Sequence, residues 1–285
     1  MGGGPMPDSV DLLILGAGWT STFLIPLLSR FKISHAATTT TGRDNTIPFK
    51  FDPSSNTLDQ YKALPSAKTV LITFPLTGTG QSQLLTRSYR QIHGGSNNWI
   101  QLGSTGIYKN DSEWSDENSP YDTSNARAIA EDELLSHASG CVLNLAGLYG
   151  GSRDPKNWIT RVAKTKDEVK KKGALHLIHG EDVAQAILGV HERFTPGKRW
   201  IITDLHVYDW WDLIESWGAE AKERARETMG VEVAEKLEFV KWVGELMVEE
   251  GVRALPRDVE TLGRRLDSRE FWRTVGVWPS QGRVR

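Results

Sequence analysis

Short apolar runs alternate with helical stretches along the first two-thirds of the chain. Val10–Leu15, His35–Thr40, Thr46–Phe51, Thr69–Thr73, Trp99–Gly103 and Cys141–Leu145 have the length and composition of strands, and Arg199–Thr203 reads as a later one. Between them, Ser21–Phe31, Ser82–His93 and Asn125–His137 read as helices. Strand–helix alternation of this kind predicts an α/β architecture, a parallel sheet covered by helices on both faces. After about Asp204 the pattern changes. Ala219 to Glu250 is strongly helical, with Leu237, Val240, Val243 and Met247 spaced to form one packing face. No repeat of fixed period is visible. The predicted organisation is a doubly wound domain over residues 8–205, with part of a second lobe inserted after about 150. A smaller, mainly helical C-terminal lobe follows over 206–285.

Composition narrows the function classes. At 285 residues the chain can bury a full core. Its charge of −2, with 25% charged residues, gives no electrostatic reason to expect nucleic acid or an anionic membrane as partner. The start, Met1-Gly-Gly-Gly-Pro-Met-Pro, lacks the basic and apolar regions of a secretion signal, and Val10–Leu15 is too short to span a bilayer. The lone cysteine, Cys141, cannot form an intrachain disulfide and sits in an apolar run, which suits a buried position in a reducing compartment. A cytoplasmic protein with a small-molecule partner is the expectation. Composition leaves the oligomeric state open.

The sharpest local signal is Leu12-Leu-Ile-Leu-Gly16-Ala17-Gly18-Trp19-Thr20-Ser21, followed by an apolar helix. Strand, tight turn and helix are the context in which a glycine pair carries chemistry. Gly16 makes the turn, Gly18 lets backbone approach a diphosphate, and the free N–H groups of the helix start hold the anion. Ser21 replaces the usual third glycine but is small enough to preserve helix–strand packing. About twenty residues on, where an NAD site places an acid, the chain reads Ala37-Thr-Thr-Thr-Thr41-Gly42-Arg43, with no acid before Asp44. Hydroxyls and a guanidinium suit a 2′-phosphate, so Thr41 and Arg43 predict NADP (NADPH) in preference to NAD. Asp52 is a candidate adenine contact.

Taken in order, these motifs resemble the atypical and extended short-chain dehydrogenase/reductase superfamily, the NAD-dependent epimerase/dehydratase-like proteins. The resemblance covers roughly residues 10–205. Beyond the glycine turn, it rests on Thr69-Val-Leu-Ile-Thr73-Phe74-Pro75, Leu102-Gly-Ser104-Thr105-Gly106-Ile-Tyr108, Leu145-Ala-Gly147-Leu148-Tyr149-Gly150 and Leu177-Ile-His179-Gly-Glu-Asp182-Val183-Ala184. It implies a Rossmann-type sheet with a substrate site over the carboxyl ends of the strands, and an oxidoreductase or epimerase-like activity on a small organic substrate. It also places Gly16, Gly18, Trp19, Thr20, Ser21, Phe74, Pro75, Leu148 and Tyr149 at the cofactor.

The family's Tyr-x-x-x-Lys pair is degenerate here. Matching Arg127–Glu131 to the family's Lys-x-x-x-Glu puts Arg127 at the lysine and Thr123 at the tyrosine. Matching Ser119-Pro120-Tyr121 keeps the tyrosine and puts Asn125 at the lysine. Ser104 or Thr105 matches the hydroxyl that polarises substrate, and Tyr121 and Tyr108 are alternative proton donors. Arg127 either serves the site or pairs with Glu131 one helical turn away. Asp182 reads as a helix cap. His179 has no partner at metal-ligand spacing, so no metal site is expected. Loss of the Tyr/Lys pair leaves two further readings open: a non-catalytic NADP-binding sensor or regulator, and a redox-neutral enzyme with a structural nucleotide.

Overall fold

The computed structural model describes residues 8–55 and 57–284. Seven strands form one sheet: β1 (Ser9–Leu15), β2 (His35–Thr39), β3 (Ile47–Pro48), β4 (Ser66–Ile72), β5 (Asn98–Ser104), β6 (Cys141–Leu145) and β7 (Arg199–Ile202). Their order is β7-β6-β5-β4-β1-β2-β3, and every pairing is parallel. This is the doubly wound Rossmann arrangement, in which the order reverses beside β1 and opens a crevice at the carboxyl edge. The predicted strand Thr46–Phe51 shrinks to two residues, because Pro48 has no N–H to donate and suits only an edge.

Alternation along the strands divides the core in two. Leu12 and Ile14 of β1 face a layer built from α1 (Ser21–Arg30) and, further along, α4 (Gly180–Glu192) and α7 (Arg269–Val275). Leu13 and Leu15 face the other layer, where α2 (Gln81–His93) supplies Leu85 and Tyr89, and α3 (Ala126–Ala138) supplies Ala130 and Leu134. The C-terminal helix α7 thus returns to the Rossmann core. Its Trp272 is fully buried and donates its indole N–H to the Thr203 carbonyl at 3.0 Å. Cys141 is buried in β6, and burial pushes its thiol up to about 12.

A third core belongs to the second lobe. There α5 (Trp210–Met229) and α6 (Phe239–Glu249) bury Trp211, Trp217, Phe239, Val243 and Leu246. The long helical stretch expected from Ala219 is interrupted at Gly230, whose φ of +91° breaks the helix. Leu237 and Val243 are buried as anticipated and Met247 packs beside them, but Val240 is exposed and Phe239 and Leu246 complete the buried face of α6. Among the described residues, no helix is long and apolar enough to cross a membrane.

One buried polar network fastens α3 to the sheet. Glu131, fully buried, accepts from the Arg199 guanidinium of β7 and from Asn144 Nδ2 of β6 at 3.0 Å. Arg199 Nη2 also bonds Asp132 Oδ1 at 2.7 Å, and its guanidinium lies 4.4 Å from the centre of the Tyr121 ring. Burial raises the Glu131 carboxyl above its ordinary range, against the pull of Arg199. Arg199→Leu strands that carboxylate, and urea unfolding should show a loss of roughly 3–5 kcal/mol. Adding Glu131→Leu should recover most of it, since replacing a whole buried pair costs far less than breaking one.

Asp204, at the boundary with the second lobe, is the other buried acid with a clear consequence. Burial lifts its carboxyl to about 6, although the Tyr208 hydroxyl at 2.7 Å and the His206 N–H at 3.1 Å favour its ionised form. A folded value above the unfolded one means stability that is complete at low pH and lost as pH rises. Stability should therefore decline between the ordinary value of 3.8 and about 6, and Asp204→Asn should flatten that part of a pH-dependent melting profile.

Candidate dinucleotide cleft

The strand-order reversal opens a cleft of about 590 Å³ at the carboxyl edge of the sheet. Gly16 turns the chain out of β1 with φ +94°, and its N–H donates to Thr38 Oγ1 at 2.9 Å. A Cβ at Gly16 would lie 2.7 Å from Thr73 Oγ1, whereas a Cβ at Gly18 would meet nothing within 4 Å. Gly16 is therefore required by the fold, while Gly18 leaves the cleft floor open. Among the described residues, the Trp19 and Thr20 N–H groups have no protein acceptor, and they precede α1 at the positive end of its dipole. Open backbone and free donors at a helix start fit a diphosphate.

The walls run from β2 across to β6. Thr39, Thr40 and Arg43 line one end, and Thr73 and Phe74 follow β4. Leu102, Gly103 and Ser104 end β5, Arg127 projects from the first turn of α3, and Leu145, Ala146 and Leu148 follow β6. Arg153 closes over the glycine turn. Its guanidinium lies 4.4 Å from the Trp19 ring centre, and Trp19 in turn donates its indole N–H to the Gly150 carbonyl at 3.1 Å. The lining thus holds Arg43, Arg127 and Arg153 and not one carboxylate.

The residues singled out from sequence divide between this cleft and the structure around it. Gly16, Gly18, Trp19, Thr20, Arg43, Phe74, Leu148, Ser104 and Arg127 line the cleft. Ser21 lies just behind the turn, buried, where a small side chain is needed. Thr41, Asp52 and Pro75 are exposed and outside the lining, and Asp52 caps its own loop by accepting from the Ser54 N–H at 2.9 Å.

Of the other candidate catalytic hydroxyls, those of Thr105 and Tyr108 are buried and that of Tyr121, half-buried, is bonded to a carboxylate. Thr105 is buried and donates to the Leu145 carbonyl at 3.3 Å. Tyr121, which is not part of the cleft lining, donates to Asp132 at 2.6 Å, and that bond raises its phenol behind the burial effect. Tyr108 is 1% exposed and Tyr149 is 9% exposed, and burial raises both phenols. Neither lines the cleft.

Other expectations change in detail. His179, not Asp182, caps α4, its Nδ1 accepting from the Glu181 N–H at 3.2 Å. Asp182 instead anchors the C-terminal segment, accepting from Ser280 N at 2.7 Å and Ser280 Oγ at 2.8 Å. Thr39 and Thr40 belong to the threonine run, and Thr73 and Gly103 to the motifs, already read from the sequence; Arg153 was missed, and its trace is the Gly150-Gly151 pair that bends the chain back before it. Gly103 carries no side chain because Asn144 and Glu131 occupy the space where its Cβ would lie.

No protein-family model and no curated protein sequence matches the chain. Solved structures do match. A conserved protein of unknown function from Silicibacter pomeroyi aligns at TM-score 0.62 and 19% identity over 96% of this chain and 95% of that one. A dTDP-glucose 4,6-dehydratase from Bacillus anthracis, solved with NAD, aligns at 0.58 and 12% identity over 95% and 92%. The protein RMD from Pseudomonas aeruginosa, solved with NADPH, aligns at 0.58 and 13% over 95% and 95%. The chain therefore shares the Rossmann fold of these structures.

The two glycines separate folding from binding. Gly16→Val should lower the melting temperature sharply, through the strained φ and the collision with Thr73. Gly18→Val should melt close to the parent protein and lose nucleotide binding in calorimetry. If Gly18→Val bound nucleotide normally, the glycine turn would not be the binding floor.

Proposed function

We propose that the cleft binds NADP(H) and that the protein is an NADP(H)-dependent oxidoreductase or epimerase-like enzyme acting on a small organic substrate. The observation that carries this reading is the acid-free, arginine-bearing cleft built on the glycine turn at the strand-order reversal. The Trp19 and Thr20 N–H groups, with Arg153 above them, receive the diphosphate. Thr40 and Arg43 receive the 2′-phosphate, a role that a carboxylate would oppose. Phe74 and Leu148 supply apolar walls. The nicotinamide, when bound, supplies or accepts the hydride.

Ser104 is the hydroxyl placed to polarise a substrate oxygen. It lines the cleft at the end of β5, and the Gly106 N–H donates to its Oγ at 3.2 Å, which leaves its own proton free to be donated. On one of the two alignments Arg127 takes the place of the family's lysine, and a guanidinium is a permanent cation unsuited to proton transfer. Thr105, Tyr108 and Tyr121 support the β5 turn by packing and hydrogen bonding.

A second reading, a non-catalytic NADP-binding sensor, is favoured by a specific feature of the lining: among the described residues it contains no Tyr, Lys, His, Cys, Asp or Glu to exchange a proton. Nucleotide binding tests the shared premise, and consumption of NADPH with a carbonyl panel separates the two readings. Calorimetry should show NADPH binding more tightly than NADH, and Arg43→Ala should weaken NADPH by about tenfold or more while changing NADH little. Equal losses for both nucleotides would remove the 2′-phosphate role from Arg43.

A further inference from the structure

We infer that the Arg127 end of the cleft is an anion subsite for the substrate, fitted to a compact organic acid whose carboxylate adjoins the carbonyl or hydroxyl that reacts. This takes the NADP(H) reading as its premise. That reading employs the glycine turn, Arg43 and Arg153 for the nucleotide's phosphates and leaves Arg127 without an anion.

Four observations single out Arg127. It lines the cleft and is half-buried, yet it forms no ion pair among the described residues. The partner its helix offers, Glu131 one turn on, is fully buried and already held by Arg199 and Asn144. Its place in the first turn of α3 is the positive end of a helix, where a cation weakens the helix rather than supporting it, and no acidic residue shares that turn. The lining around it contains no carboxylate. Its charge acts on Glu131 only through space, and its hydrogen-bonding groups, without a protein partner among the described residues, are left for a ligand.

The surroundings restrict what that ligand is. Ser104 offers a hydroxyl in the same cleft, while Leu102, Leu145, Ala146 and Leu148 supply apolar surface. Low polarity strengthens a charged contact, and a guanidinium grips a carboxylate through two parallel hydrogen bonds. The backbone beneath is fixed, because the Arg127 N–H donates to the capping Asn125 Oδ1 at 2.9 Å. Arg127 is thereby a specificity-determining residue: the carboxylate goes to it, and the neighbouring oxygen goes to Ser104.

The test titrates oxalate into the protein, both free and saturated with NADP+, by calorimetry. Inorganic phosphate is the second anionic probe and acetone the uncharged control. Oxalate should bind to the NADP+-loaded protein more tightly than phosphate, and acetone should give no measurable heat. Arg127→Gln should weaken oxalate by about tenfold or more, with an unchanged melting temperature and NADP+ affinity within about threefold. Arg127→Lys should fall between the two, since an ammonium keeps the charge and loses the paired geometry.

If NADP+ binds and oxalate binds no better than acetone, or if Arg127→Gln binds oxalate normally, the subsite is overturned. Tighter binding of phosphate than of oxalate overturns the carboxylate assignment. If NADP+ fails to bind while oxalate binds in an Arg127-dependent way, the nucleotide reading falls and the anion subsite stands.

Discussion

The buried contact between Glu131 and Arg199 is the interaction on which the site's geometry depends. It joins helix α3 to strand β7, takes Asn144 of β6 into the same network, and occupies the space beneath Gly103 of β5. A carboxylate and a guanidinium removed from water are tolerable only as a pair, so the three strands and the helix must meet in one register. That register sets where the first turn of α3 falls, and with it the place of Arg127 beside the cleft. The same contact takes from Arg127 the acid that the helix would otherwise give it. One structural pair thus produces both the position of the cleft cation and its lack of a partner.

The other end of the cleft follows from the backbone. Gly16 is held in a left-handed conformation against Thr73, and the chain then passes Gly18 with open space above it. Two N–H groups are left without acceptors where the dipole of α1 begins. Arg153 arrives from far along the chain and is seated by its stack on Trp19. Positive charge therefore predominates in the cleft, from the helix start, from three guanidinium groups and, among the described residues, from the absence of any lining carboxylate. An anionic cofactor and an anionic substrate group are the ligands such a field favours.

The tyrosines show why a motif transferred by sequence stops short of a mechanism. Tyr121 sits in the segment that resembles the family's catalytic stretch, but its hydroxyl is spent on Asp132 and its ring rests on Arg199. Tyr108 is sealed in the core beside it. Their chemistry is decided by the polar network around them, whose members lie on the following helix α3 and on β7, far later in the chain. Asp182 makes the same point. Sequence placed it at a helix start, where a cap is the ordinary role, but the cap is His179, and Asp182 holds a segment almost a hundred residues later.

What the sequence determined by itself is whatever depends on near neighbours. Strand-length apolar runs, the helix between each pair, the Gly16-Ala17-Gly18 turn and the missing acid before Arg43 are all local patterns, and local patterns set secondary structure and the parallel order of a doubly wound sheet. The tertiary structure alone decided which side chains reach the cleft. It brought Arg153 to the glycine turn, withdrew Tyr108 and Thr105 into the core and gave Glu131 to Arg199 instead of Arg127. Each of those outcomes is a competition among groups far apart in the chain for the same buried partner or space. No window of sequence contains both competitors.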